Sequence, residues 1–249
     1  MESDSSRKTS LSVDTSLDIR LFFASSLLMR ISEFSLRIHG GMACFTRPEF
    51  STERLSYELM TPSAARGVIE AVLWKPAIRW EVTSIALLKR VQWIEFRRNE
   101  VNSRVSTQNA LRASRGGEPV PEFFSDEDRA QRNTLALREP DYGVTAQLHM
   151  TARAGEEDSL EKFRAMFLRR MEKGQQHYQP YLGCREFPAT IELWDGTPAP
   201  LATETRELGW MLHDIDFGPQ NQARFFPARL EQGVMRIPEW QSSVAGGTL

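Results

Sequence analysis

The side chains able to move a proton near neutral pH are few and scattered in this 249-residue chain: His39, His149, His177 and His213. Their spacing matches no metal-ligand pattern, and no glycine-rich phosphate loop accompanies them. Ser63 and Cys184 could act as nucleophiles, but neither carries an activating signature. The two cysteines, Cys44 and Cys184, fit neither a zinc spacing nor a disulfide framework, which points to a reducing cytoplasm. The usual enzyme motifs are absent, which weakens a metabolic-enzyme reading. What the chain does concentrate is positive charge. Arg47 to Arg115 holds 12 Lys/Arg against 7 Asp/Glu, although the whole chain has a net charge of −2. Gly116 to Asp128 holds five acids and no base, and Thr190 to Phe217 holds six acids and one Arg. A basic middle with acidic flanks allows a phosphate-binding face on a near-neutral protein; the alternative is a solvated mixed surface.

Those residues need elements to hold them. At 41% hydrophobic and 26% charged residues the composition is that of a globular protein, one large domain or two small ones. Residues 1–28 are set apart. Met1 to Asp18 is polar and disorder-like, and the apolar patch that follows is far below the roughly 20 residues a membrane span needs. Asp14, Asp18 and Ser25-Ser26 argue against a signal peptide, and Met29 could be the real start. From there Phe34, Leu36 and Ile38 alternate as a strand. Thr61-Pro62 starts a helix whose apolar stripe is Ala65, Val68, Ile69, Val72 and Leu73, ending by Pro76. Ile78-Trp80-Val82 and Val91-Trp93 read as two strands, and Asn102 to Asp128 as a long loop. A strand near Tyr142 to Ala152 precedes a second helix, Gly155 to Lys173, with stripe Leu160, Phe163, Phe167 and Met171 and a C-cap at Gly174. Arg185 to Trp194 alternates again, and three or four short strand-like runs follow Asp195, with turns at Gly218-Pro219 and Gln232-Gly233. The expected fold is α+β: a ferredoxin-like (RRM-like) domain over 29–194, with a long loop at about 102–128, and a small C-terminal antiparallel β extension over 195–249.

Four stretches, in series, are more specific than any of this. They are Ala43-Cys44-Phe45-Thr46-Arg47-Pro48-Glu49; Ser56-Tyr57 with Thr61 to Gly67 and Trp74-Lys75-Pro76; Arg97-Arg98-Asn99-Glu100-Val101; and Gln179 to Ala189. Together they resemble the Cas-five family of subtype I-C CRISPR systems, over about Met29 to Pro238. The resemblance implies a RAMP-type ferredoxin-like fold, no cofactor and no metal. It implies as partners the CRISPR repeat RNA, kept as the 5′ handle of crRNA, and the other protein subunits of the Cascade complex, with no membrane involved. In most members it also implies an endoribonuclease that cuts the repeat precursor with the RNA's own 2′-hydroxyl. That chemistry needs alignment, a proton acceptor, a proton donor and charge to stabilise the phosphorane.

This chain departs from that pattern. The aromatic or imidazole that the family carries just before Trp-Lys-Pro is Leu73, and the family's Lys-His pair at the start of the second helix is Lys162-Phe163. Gly41-Met42 replaces an Asp-aromatic pair. Lys162 alone carries over as catalytic, or else is one more base on a solvated helix face. His177, Tyr178 and His39 are possible substitutes for the lost proton carriers. Arg47, Arg97, Arg98, Arg169, Arg170, Lys173 and Arg185 could line a phosphate track, and Trp74, Tyr57 and Phe45 could stack bases, or sit in the core. The activity therefore stays open between a processing nuclease, a weakened one, and a non-catalytic subunit that only binds RNA or scaffolds its neighbours.

Overall fold

A computed structural model of the chain describes residues 31–50, 52–103, 106–117, 119, 124, 126–217 and 221–245. The extension expected over 1–28 and the turn at Gly218-Pro219 lie outside them.

Strand β1 spans Ile31–His39 and buries Phe34, Leu36 and Ile38, as its alternation requires. Two short strands follow, β2 (Met42–Ala43) and β3 (Arg54–Leu55). Helix α1 spans Pro62–Val72. The Thr61 hydroxyl accepts from the Ala64 N–H at 3.2 Å and Pro62 takes the first helical position, where no N–H is needed. Its stripe, with Leu73 at the cap, is buried throughout. Strand β4 (Ile78–Leu87) comes next, and later β7 (Asp141–Met150), helix α3 (Leu160–Glu172) and β8 (Thr190–Leu193). Gly174, at φ +60°, closes α3, with the Gln175 N–H reaching back to the Arg170 carbonyl at 2.8 Å.

These pieces form the ferredoxin-like unit. Its strands lie in the order β4-β7-β1-β8, all antiparallel. Phe167 of α3 meets Phe34 edge-on and Trp80 at a tilt, each at 4.8 Å between ring centres. Each such ring removed from water contributes about 1.5–3 kcal/mol.

Between β4 and β7 the chain leaves the main sheet. Strands β5 (Trp93–Val101) and β6 (Arg129–Arg138) form a long hairpin in a second sheet, in which β6 also pairs with β2 and β3. Of the strand expected at Val91-Trp93, only Trp93 falls in β5, which belongs to the second sheet, and β6 carries no alternation that marks it in the sequence. The expected loop at Asn102 to Asp128 also needs correcting, because it carries helix α2, Thr107–Ser114. Ser106 caps α2, but none of its residues is buried, so it has no apolar stripe to betray it. The alternation expected over Arg185 to Trp194 yields a strand only over β8.

The C-terminal extension is antiparallel, as expected, but built on long strands. These are β9 (Arg206–Asp216) and β10 (Gln222–Glu231), followed by β11 (Val234–Arg236) and β12 (Val244–Ala245). It continues the main sheet, since β11 pairs with β10 on one side and with β4 on the other. The Gln232-Gly233 turn has positive φ at both residues, the geometry of a tight hairpin.

Candidate nucleic-acid interface

The four sequence stretches, far apart along the chain, meet around the segment 175–189. That segment turns back on itself, the Leu182 N–H donating to the Phe187 carbonyl at 2.8 Å. At its tip Leu182 accepts from the Cys44 N–H at 3.0 Å, and Gly183, at φ +83°, lies on the Cys44 carbonyl. Phe45 in turn is held by the Ser56 hydroxyl at 3.0 Å and by the Tyr57 N–H at 2.9 Å. Glu186 accepts from Arg98 at 2.5 Å and Arg54 at 3.2 Å. Partial burial works to raise the Glu186 carboxyl, yet these two guanidiniums hold it below the usual carboxylate range. The Cys44 and Cys184 thiols also meet here. Their mutual hydrogen bond draws Cys44 down and pushes Cys184 up.

The same segment begins against the C-terminal end of α1. The His177 N–H donates to the Ala71 carbonyl at 2.7 Å, and the Tyr178 hydroxyl to the Gly67 carbonyl at 3.4 Å. Arg170 donates to the Val72 carbonyl at 2.6 Å, so the free carbonyls of the last helical turn are taken up by α3 and its extension. The result is an open groove of about 530 Å³, bounded by Glu70, Trp74, Lys75, Arg170, His177 and Tyr178. Trp74 is 57% exposed and Tyr178 46%. Burial raises the Tyr178 phenol above its ordinary value. An indole face, two cations against the carboxylate of Glu70, an imidazole and a phenol in one groove suit an RNA strand: stacking for a base, charge for a phosphate, and an imidazole to carry a proton. A second cavity, of about 440 Å³, opens beside the first turn of α1, with Thr46, Ser63, Tyr181 and Gly183 among its walls.

The model of the family described as CRISPR-associated protein (Cas_Cas5) matches residues 34–238. The chain belongs to that family. Two curated Cas5 relatives, each named CRISPR pre-crRNA endoribonuclease Cas5d, agree with this. The one from Mannheimia succiniciproducens is 42% identical over 211 residues, covering 82% of this chain and 93% of its own. The one from Thermus thermophilus is 41% identical over 227 residues, covering 84% and 92%. A solved structure described as "Crystal Structure of CRISPR-associated Protein" superposes with a TM-score of 0.65, covering 88% of this chain and 99% of its own. At 18% identity it establishes the shared fold alone.

Within this Cas5 fold the candidate residues divide. His177, Tyr178 and Arg170 line the groove, and Arg169 and Lys173 are exposed at the same end of α3. Arg185 is exposed and close enough to act on the Tyr178 phenol. Lys162 is elsewhere. It sits in the first turn of α3, paired with Asp158 at 3.0 Å, and lies eight helical steps from Arg170, roughly 12 Å. His39 closes β1 with its ring 3.7 Å from Glu192, outside the groove. Leu73 and Phe163, where the resemblance implies proton carriers, are 0% and 3% exposed and belong to the core.

The arginines of the second sheet are not equivalent. Arg97 is exposed and bonds Asn133 at 3.0 Å, whereas Arg98, on the opposite face of β5, is clamped by Glu186 and stacks 4.5 Å over Phe96. Arg47 stacks 4.6 Å over Tyr57 and pairs with Glu49. Of the three aromatics considered for stacking, Tyr57 and Phe45 are 1% and 2% exposed and so are core; only Trp74 is available. Sequence reasoning missed Lys75, although it lay inside a quoted motif. Its signal was position: a cation placed just past a helix end and fixed there by Pro76. Among the described residues no cluster of His, Cys, Asp and Glu is placed to hold a metal, and no helix is long and apolar enough to cross a membrane.

Proposed function

We propose that this chain binds the repeat-derived 5′ handle of CRISPR RNA as a protein subunit of a subtype I-C Cascade complex, and that it cuts the repeat precursor without a metal. The observation that carries this reading is the 41–42% identity to two proteins named as pre-crRNA endoribonucleases, over more than nine-tenths of their length. The groove beside α1 supplies the matching chemistry, with Trp74 for a base and Lys75 and Arg170 for phosphate. One observation favours a second reading, a subunit that binds without cutting: the residues at the two expected proton-transfer positions, Leu73 and Phe163, are buried hydrocarbon. Incubating the purified protein with end-labelled repeat RNA in EDTA separates the two. Specific retardation with a single cut supports the first, retardation without a cut the second. Equal affinity for the repeat and an unrelated hairpin overturns both. Binding should also weaken steeply as salt rises.

A further inference from the structure

The groove that ends α1 was assembled from residues far apart in sequence, and its contents are more specific than RNA binding requires. We infer that His177 and Lys75 are catalytic residues of repeat cleavage, with His177 taking the proton of the attacking 2′-hydroxyl and Lys75 facing the phosphorane. This rests on the functional reading above and goes beyond it, since it places the chemistry at residues other than Lys162.

Position argues first. Trp74 and Lys75 directly follow the end of α1, and His177 is tied to that end through its own backbone, whose N–H is 2.7 Å from the Ala71 carbonyl. Arg170 is tied to the next carbonyl, that of Val72. The segments that carry the imidazole and the ammonium, and the guanidinium itself, are therefore anchored at one turn of one helix rather than on separate loops, which brings the three groups to one groove. Exposure argues next. The His177 side chain is exposed and opens on the groove, while Lys162 is occupied by Asp158 and by the Glu157 carbonyl at 3.4 Å.

Chemistry then distributes the roles. An imidazole is the side chain suited to accept a proton near neutrality. The Tyr178 phenol, raised by burial, stays protonated, and its hydroxyl already donates to the Gly67 carbonyl at 3.4 Å, so it does not serve as the base. Among the described residues Glu70, on α1, is the one carboxylate bounding the groove, and it is paired with Arg66 at 2.8 Å rather than with Lys75. With a base stacked on Trp74, the 2′-oxygen forms its bond to phosphorus as the bond to the 5′-oxygen breaks. His177 takes the 2′-hydroxyl proton. Lys75 and Arg170 offset the charge of the phosphorane. Water in the open groove returns a proton to the departing 5′-oxygen and is restored when the imidazolium releases its own. The products are a 2′,3′-cyclic phosphate and a 5′-hydroxyl.

The test is single-turnover cleavage of labelled repeat RNA in EDTA by the full chain and by His177→Ala, Lys75→Ala and Lys75→Arg, with mobility shift and melting measured on the same preparations. His177→Ala keeps its backbone hydrogen bond and should melt as wild type. It should bind RNA within about threefold and cut about 100-fold to 10,000-fold slower. It should also lose the acidic limb of the rate–pH profile, the charged groups around it being Glu70, Lys75 and Arg170. Lys75→Ala should cut slowly, with partial recovery in Lys75→Arg. Cutting by His177→Ala at the wild-type rate overturns the inference, as does bound RNA that the wild type never cuts, or activity abolished by Lys162→Ala but kept in His177→Ala. Failure to bind the repeat in the first place overturns the functional reading instead.

Discussion

A β-carbon added to Gly183 would lie 2.0 Å from the carbonyl oxygen of Cys44, closer than any side chain tolerates. The backbone there is also left-handed, with φ at +83°. Two of the four stretches that carry the family resemblance touch at this point with no room for an atom between them. Gly183→Ala should lower the melting temperature by on the order of 5–10 °C: left-handed backbone alone costs about 1–3 kcal/mol and the clash adds to it. A wild-type melting curve would show that the turn can relax, and that the contact does not hold 175–189 in place.

Arg97 and Arg98 should separate cleanly. Arg98→Ala removes the Glu186 clamp and the stack on Phe96, and should cost about 1–2 kcal/mol of stability. Arg97→Ala should leave the melting point alone and weaken RNA binding, with the slope of log affinity against log salt shallower by about one phosphate contact. Thermal melts and a salt series on both variants decide it; identical behaviour in both assays contradicts the assignment to opposite faces.

Trp74 is the more exposed of the groove's two aromatic side chains, at 57% against 46% for Tyr178, so its loss should be felt by RNA and not by the fold. Trp74→Ala should change stability by no more than about 0.5 kcal/mol and weaken repeat RNA binding by about 1–3 kcal/mol, with Trp74→Phe keeping most of the affinity. A drop in melting temperature without a change in affinity would place this indole in a structural role.

His149, on β7, carries a pH dependence. Burial first, then Arg79 opposite it, lowers its pKa below 6.5, against the pull of Glu81 at 3.4 Å. The folded chain therefore binds this proton less readily than the unfolded one. Its contribution to stability is present above about pH 6.5 and is lost as pH falls from there towards the folded value. His149→Gln should flatten the fall in melting temperature between pH 7 and 5 relative to wild type; parallel curves would remove His149 from the account.

The parts of this fold that were legible in the sequence are those whose signal is local. The alternation of Phe34, Leu36 and Ile38 gave β1, and Thr61-Pro62 with its stripe gave α1, because burial on one face imposes a period. Strand β6 escaped because Arg129 to Asn133 is polar on both faces, and α2 because it buries nothing. The groove was half legible. His177 and Tyr178 could be named as proton carriers, but nothing local placed them at the end of α1, a hundred residues earlier. The Arg98–Glu186 clamp is of the same kind: its partners lie 88 residues apart, and neither carries any mark of the other.

Strand β11 has a consequence for how the chain is made. Its three residues cover the edge of β4 at Ser84–Ala86, and they are synthesised roughly 150 residues after β4. At about 5–20 residues per second the edge of a strand rich in Ile, Trp and Val stays open for on the order of 10–30 s on the ribosome, a template for pairing with any neighbouring nascent chain. A chain stopped at Gly233 would keep that edge open for good. It should partition into the pellet on expression while the full-length protein stays in the supernatant, and equal soluble yields would show that β4 is guarded by something other than β11.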